Sequence, residues 1–330
     1  MQSIRLDSVW LFGLLQNNII FLLIKKVRFS SPFFFVFDNM ISSKDYLIPS
    51  KIFGLIVSLS IIFFGVESSY SILFFLFIML TIGIPHGSID HLIAFINPKT
   101  RRFQNKFYFF ISYISLIFFN ILLWIISPYL GLFIFLIISC YHFGETQVLG
   151  YTTTDNKFLN FVLGANILLS LFLNNIFELQ EILSSLSFFS NIDLSSFDKI
   201  FFLLLSISIL MISIIYSDVK RKILLYAEMS IMYLIFFHTD LLISFSLFFG
   251  FSHSLPMLLM EFKEMKDKNF LKFYIKTLPF TLLSILFGII IYYFNSDLLT
   301  TDNLILFIFI IISSLTLPHV FIMKDFIQSK

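Results

Sequence analysis

Gly83-Ile84-Pro85-His86-Gly87-Ser88-Ile89-Asp90-His91 lies in the inner half of an apolar run that begins near Ser71. Two histidines, an aspartate and a helix-breaking proline stand there among isoleucine, leucine and phenylalanine. A carboxylate at the centre of a membrane helix costs about 2.5–3.5 kcal/mol even on insertion scales. Ionisable groups at such depth mark functional sites. The rest of the chain is read by asking what else reaches the same level.

The chain has 330 residues, of which 58% are hydrophobic and 13% charged. Its mean hydropathy is +0.95. Soluble domains carry about 25% charged residues, so the composition is that of an all-α, polytopic membrane protein. The net charge of +2 offers no basic footprint, which excludes nucleic-acid binding. The single cysteine, Cys140, cannot form an internal disulfide and is read as packing. The 48 phenylalanines admit two readings, an aromatic tunnel for an apolar ligand and a coding sequence rich in A and T, of which the second is preferred.

Residues 1–39 read as an N-terminal extension, and residues 40–330 as one membrane domain. Two short apolar runs precede Lys25, Lys26 and Arg28, the reverse of a signal peptide. The extension is expected to be dispensable or untranslated, with a start near Met40. Beyond it, apolar runs predict helices over about 52–66, 71–95, 107–127, 130–150, 158–176, 198–217, 223–237, 241–260, 273–294 and 303–323. This is a bundle of about 8–10 transmembrane helices.

The breaks alternate in charge. Lys99, Arg101, Arg102 and Lys106 follow the second helix; Lys220, Arg221 and Lys222 the sixth; Lys263, Lys266, Lys268 and Lys272 the eighth. The other breaks are acidic or neutral, with Glu67, Glu178, Glu181, Asp193, Asp198, Asp240, Asp297 and Asp302. The positive-inside rule then runs every even helix from outside to inside, and places the C-terminus in the cytoplasm. The expected location is the cell's inner (cytoplasmic) membrane.

Four histidines share a level. From the expected helix starts, His86 lies about 15 residues in, His142 about 12, His253 about 12 and His319 about 16. At about 1.5 Å per residue the four imidazoles then fall within roughly 6 Å of one another in depth. A single buried histidine is usually a hydrogen-bonded packing residue. Four on four parallel helices form a metal cage, because neutral imidazole is the common ligand of iron, zinc and copper. His238 falls at a helix end and is read as a bystander.

Asp90 follows His86 by one turn and is a candidate acceptor for an imidazole N–H. His91 is turned away from His86 and is either such a supporting residue or an alternative ligand. Glu145, one turn after His142, has the same supporting logic, against the alternative of a helix end at the interface. Gly83, Gly87, Gly144 and Gly250 stand within a turn of a histidine and permit close helix approach. Pro85, Pro256 and Pro318 stand within three residues of one, where broken helix lines cavities.

Pro85-His86-Gly87-Ser88-Ile89-Asp90-His91, His142-Phe143-Gly144, His253-Ser254 and Leu317-Pro318-His319 resemble the landmark motifs of the Brp/Blh-like family of membrane β-carotene 15,15′-dioxygenases. The resemblance runs in order from about residue 50 to 325. It implies central cleavage of β-carotene by O2 into two all-trans-retinal at non-haem ferrous iron. It also implies a functional link to a retinal-binding rhodopsin. Carried over, the family's ligands are His86, His142 and His253, with the fourth falling on Met257. Methionine is a poor ligand for catalytic ferrous iron. The depth argument completes the set with His319; the alternatives are His91, an iron that keeps three histidines, or a family member whose activity is changed or lost. Gln147 stands where the family is often acidic.

Two other readings use the same residues. A haem-binding electron-transfer protein would take paired histidines as axial ligands. A transporter would use His86, Asp90 and His91 as a proton relay.

Overall fold

The computed structural model describes residues 46–96, 105–151, 156–183, 219–267, 269–294 and 301–327. They form ten helices: α1 Leu47–Phe64, α2 Ser71–Ile96, α3 Lys106–Ile126, α4 Pro128–Val148, α5 Lys157–Asn174, α6 Ile176–Leu183, α7 Val219–His238, α8 Leu241–Glu264, α9 Phe270–Phe294 and α10 Thr301–Ile327. There is no strand among the described residues. Nine of the ten expected helices are present; the sixth, over 198–217, and the N-terminal extension lie outside the described residues. Eight helices are long and apolar enough to cross a membrane. The chain is thus a polytopic helical bundle.

Two features go beyond the expected helices. The short α6 was not anticipated. It has a use, because Glu178 on it accepts the backbone N–H of Leu241 at 2.6 Å and so satisfies one free donor at the start of α8. The helix expected over 223–237 forms as α7 but is not among the eight apolar spans. It opens with three basic residues and carries the fully buried Glu228.

The core is α8, buried along its whole length. α1 packs along it, α2 and α4 flank its middle, and α5 lies tightly on α4. α10 packs against α3 and α4, and α9 touches the middle of α2. The starts of α2 and α8 are pinned together: the Ser71 hydroxyl donates to Asp240, whose other oxygen caps Ile243 N at 2.9 Å.

Lower down, both helices widen into π-helical turns, Met79–Gly83 in α2 and Phe248–Ser254 in α8. Each π turn lies just before a proline, Pro85 or Pro256. Proline has no N–H to give the turn before it, and π turns in membrane helices gather at functional sites. Glycines let the two wide turns touch: a Cβ on Gly250 would sit 2.3 Å from Ile78 Cγ2, and one on Gly83 2.8 Å from the Phe249 ring.

Candidate metal centre

The widened turns deliver His86 and His253 to one place. His86 follows the π turn of α2, His253 lies within that of α8, His142 comes from α4, and His319 follows Pro318 in α10. The ring centroids are 4.5 Å apart for His86 and His319, 4.8 Å for His142 and His253, 5.3 Å for His142 and His319, and 5.4 Å for His86 and His253. All four side chains are buried. Ligand atoms of His86, His142 and His319 lie within 4.8 Å of one another.

The neighbours fix which nitrogen is left over. His319 Nδ1 lies 2.9 Å and 3.0 Å from the two oxygens of Asp90, and the Tyr113 hydroxyl donates to Asp90 Oδ2 at 2.8 Å. Facing a carboxylate, Nδ1 carries the proton, and Nε2 keeps its lone pair. His253 Nδ1 lies 2.9 Å from the Thr146 hydroxyl, which gives its own proton back to the carbonyls of His142 and Phe143 at 3.0 and 3.1 Å. Thr146 therefore accepts from His253 Nδ1–H; His253 stands beside the triad of His86, His142 and His319 and outside it.

A metal fits the atoms that remain. Both ring nitrogens of His86 and of His142, and Nε2 of His319, are buried without a hydrogen-bond partner. Leaving a buried polar atom unpaired costs about 1–3 kcal/mol. Orphans converging from three helices could hold a metal ion, and imidazole nitrogens suit a divalent transition metal. His86 Nδ1 does lie 2.8 Å from Glu261 Oε1, but too far off the ring axis for a hydrogen bond.

The other candidates are placed as follows. Asp90 serves His319, not His86. His91 is half-buried against Phe280 and Phe110, with ring centroids at 4.6 and 6.2 Å. Glu145 is buried and accepts the Tyr141 hydroxyl at 3.4 Å; the polar side chain of α4 that meets a histidine is its neighbour, Thr146. Met257 is fully buried but does not line the cavity described below. Gln147 offers its backbone carbonyl to Lys51 Nζ at 2.5 Å. His238 is exposed and bonds within its own helix, 2.8 Å from Leu234 O. Sequence reasoning passed over Tyr113, Thr146 and Glu261. Thr146 had a signal, since it follows His142 by one turn.

The histidines stand in the wall of a cavity of about 710 Å³ between α3, α9 and α10. Its lining is almost wholly apolar, with Phe110, Ile117, Phe280, Phe287 and Leu315 among the side chains. Along α3 it runs from Phe109 to Ile125, which at 1.5 Å per residue is about 24 Å. Ile114, Phe118 and Leu283 line it and are also exposed, so it reaches the surface between α3 and α9.

A sequence model of the family described as beta-carotene 15,15′-dioxygenase matches residues 77–326. The chain belongs to this family. The match takes in all four histidines, both carboxylates Asp90 and Glu261, and the whole cavity lining. No curated protein and no solved structure gave a match. Family membership makes a dioxygenase-type enzyme of the chain, and its buried histidines could bind a metal in the wall of the apolar cavity.

Proposed function

We propose that the chain cleaves β-carotene at its central double bond with O2, giving two molecules of all-trans-retinal. The ion is non-haem Fe(2+), held by His86, His142, His253 and His319. The observation that carries this reading is the cluster of orphaned imidazole nitrogens in the wall of an elongated apolar cavity. Ferrous iron supplies the one-electron activation that lets O2 react with a closed-shell polyene.

The chain's own residues do the rest. Asp90 and Thr146 set the tautomers of His319 and His253. The apolar walls hold the polyene against the histidines and exclude water. One O2 adds across one carbon–carbon double bond and both atoms leave in the two aldehydes. No proton is gained or lost, so no general base is required. The opening between α3 and α9 suits a substrate already dissolved in lipid.

The haem reading is disfavoured by spacing: ring centroids 4.5–5.4 Å apart leave no slot for a macrocycle. The proton-relay reading is disfavoured because Asp90 pairs with His319 while His91 stacks among phenyl rings. The location we propose is the inner membrane, with the C-terminus in the cytoplasm. Lys263 at the end of α8 reaches Tyr46 before the start of α1 at 5.7 Å, and Lys106 at the start of α3 reaches Phe95 near the end of α2 at 6.0 Å, so these basic side chains stand at helix ends that the charge pattern assigns to the cytoplasm. A retinal-binding rhodopsin is the proposed recipient of the product.

The test is expression of the full chain in cells that accumulate β-carotene, with and without His86→Ala. Retinal is extracted after growth under labelled oxygen. Retinal in the wild type only, each molecule carrying one labelled oxygen, is the expected result. Intact β-carotene beside iron-loaded protein in the membrane overturns the reading.

A further inference from the structure

Glu261 is a carboxylate without an assigned task. It lies two turns after His253 in α8, is fully buried, and neither of its oxygens has a hydrogen-bond donor. Bare carboxylates at such depth are sustained by a nearby cation or a hydrogen bond. Its Oε1 lies 2.8 Å from His86 Nδ1. That distance is already right for a hydrogen bond; only the angle is wrong.

The other histidines give the pattern. His319 gives Nδ1–H to Asp90, and His253 gives Nδ1–H to Thr146. His86 is the next member of the cluster, and Glu261 is the carboxylate that lies within hydrogen-bond distance of its Nδ1. Metal-bound imidazoles almost always give their second N–H to such a partner. Charge points the same way. Two carboxylates beside neutral imidazoles balance one divalent cation inside a low-dielectric bundle.

We propose that Glu261 is the positioning residue of His86: with metal bound, its carboxylate takes Nδ1–H and aims Nε2 at the ion. This rests on the metal reading above. Glu261 itself touches neither substrate nor O2.

The test uses the full chain, purified in detergent, stripped with chelator and titrated with Co(II). Visible ligand-field absorption reports binding, and thermal unfolding of the metal-free protein reports the fold. Glu261→Leu is expected to melt at or above the wild-type temperature, because replacing an uncompensated buried charge with an apolar group of similar size does not weaken a fold. Its Co(II) affinity falls about 10–100-fold, with an altered spectrum. Glu261→Gln keeps an acceptor oxygen and recovers part of the loss. A purely structural carboxylate gives the reverse, a lower melting temperature with wild-type affinity and spectrum, and that overturns the proposal. So does failure of both variants to fold. If the wild type itself takes up no Co(II) while His86→Ala behaves identically, the metal reading falls, whatever Glu261 does.

Discussion

Asp90 and His319, 229 positions apart in the chain, meet side chain to side chain at 2.9 Å. The contact ties α2 to α10 and is backed by Tyr113 from α3. Asp90→Asn exchanges a two-oxygen acceptor for one oxygen and an amide, which cannot serve both Tyr113 and His319 in the same way. Iron content and retinal formation are expected to fall about 10–100-fold, the usual effect of removing a carboxylate behind a ligating histidine. Tyr113→Phe leaves His319 its acceptor and is expected to lose less. Iron per chain, measured beside retinal formed per iron, checks both; wild-type iron content in Asp90→Asn speaks against the arrangement.

Met257 stands where the family resemblance puts a fourth histidine. Its side chain is fully buried and does not line the cavity. Met257→His is therefore expected to add no iron and no activity. It inserts a polar ring into an apolar setting, at a cost of about 1–3 kcal/mol if unpaired. His319→Ala, by contrast, is expected to abolish iron retention. Metal analysis of the two purified variants decides: a gain of iron in Met257→His shifts the site toward α8 and away from α10.

Much of the site was legible because the clue was local and chemical. His86, His142, His253 and His319 each interrupt an apolar run, and counting residues sets them at one depth. Asp90 was legible as an acceptor, but not its partner, since spacing along α2 points to His86 while the contact comes from a helix 229 residues away. Glu261 was not legible. The helix was expected to end at 260 with lysines following, so a glutamate there reads as the polar boundary. Tyr113 is one of 13 tyrosines and sits in a run of aromatic residues. The π turns had no compositional signal; Pro85 and Pro256 announce a break, not the direction of a register change. α6 is too short for periodicity to show.

Gly144 and Gly164 bring α4 and α5 together. A Cβ on Gly144 would sit 1.7 Å from Asn160 O, and one on Gly164 1.8 Å from Cys140 O. Both obstacles are backbone, which cannot swing aside. Alanine at either position must push the helices apart, and overpacking of this kind costs about 1–3 kcal/mol or more. His142 lies two residues from Gly144, so the displacement reaches the proposed metal ligands. Gly144→Ala is expected to lower the melting temperature and the iron content together. Gly288→Ala is the comparison, since a Cβ there meets Ile311 at 3.4 Å and nothing closer; it is expected to melt like the wild type.

Lys51 and Glu228 form a buried ion pair away from the histidines, with Lys51 Nζ 3.6 Å from Glu228 Oε2 and neither side chain exposed. Tyr151 donates to Glu228 Oε2 at 2.6 Å, and its ring lies 4.6 Å beneath the Lys51 ammonium. Tyr151 follows the last span residue of α4, and burial pushes its hydroxyl pKa up, so it stays a donor. The group joins α1, α7 and the end of α4, next to the Thr146 that orients His253. Removing one partner leaves a charge uncompensated. Lys51→Met alone is expected to cost about 3–5 kcal/mol, and Glu228→Met a similar amount, whereas replacing both with apolar side chains is near neutral or stabilising. The double mutant should therefore recover most of either single loss, with the residue of the cost in the Tyr151 hydroxyl, which Tyr151→Phe removes. Denaturant unfolding in micelles of the two singles and the double gives the coupling. Additive losses would mean that the two charges do not sense each other, and that Lys51 is held by the Gln147 carbonyl alone.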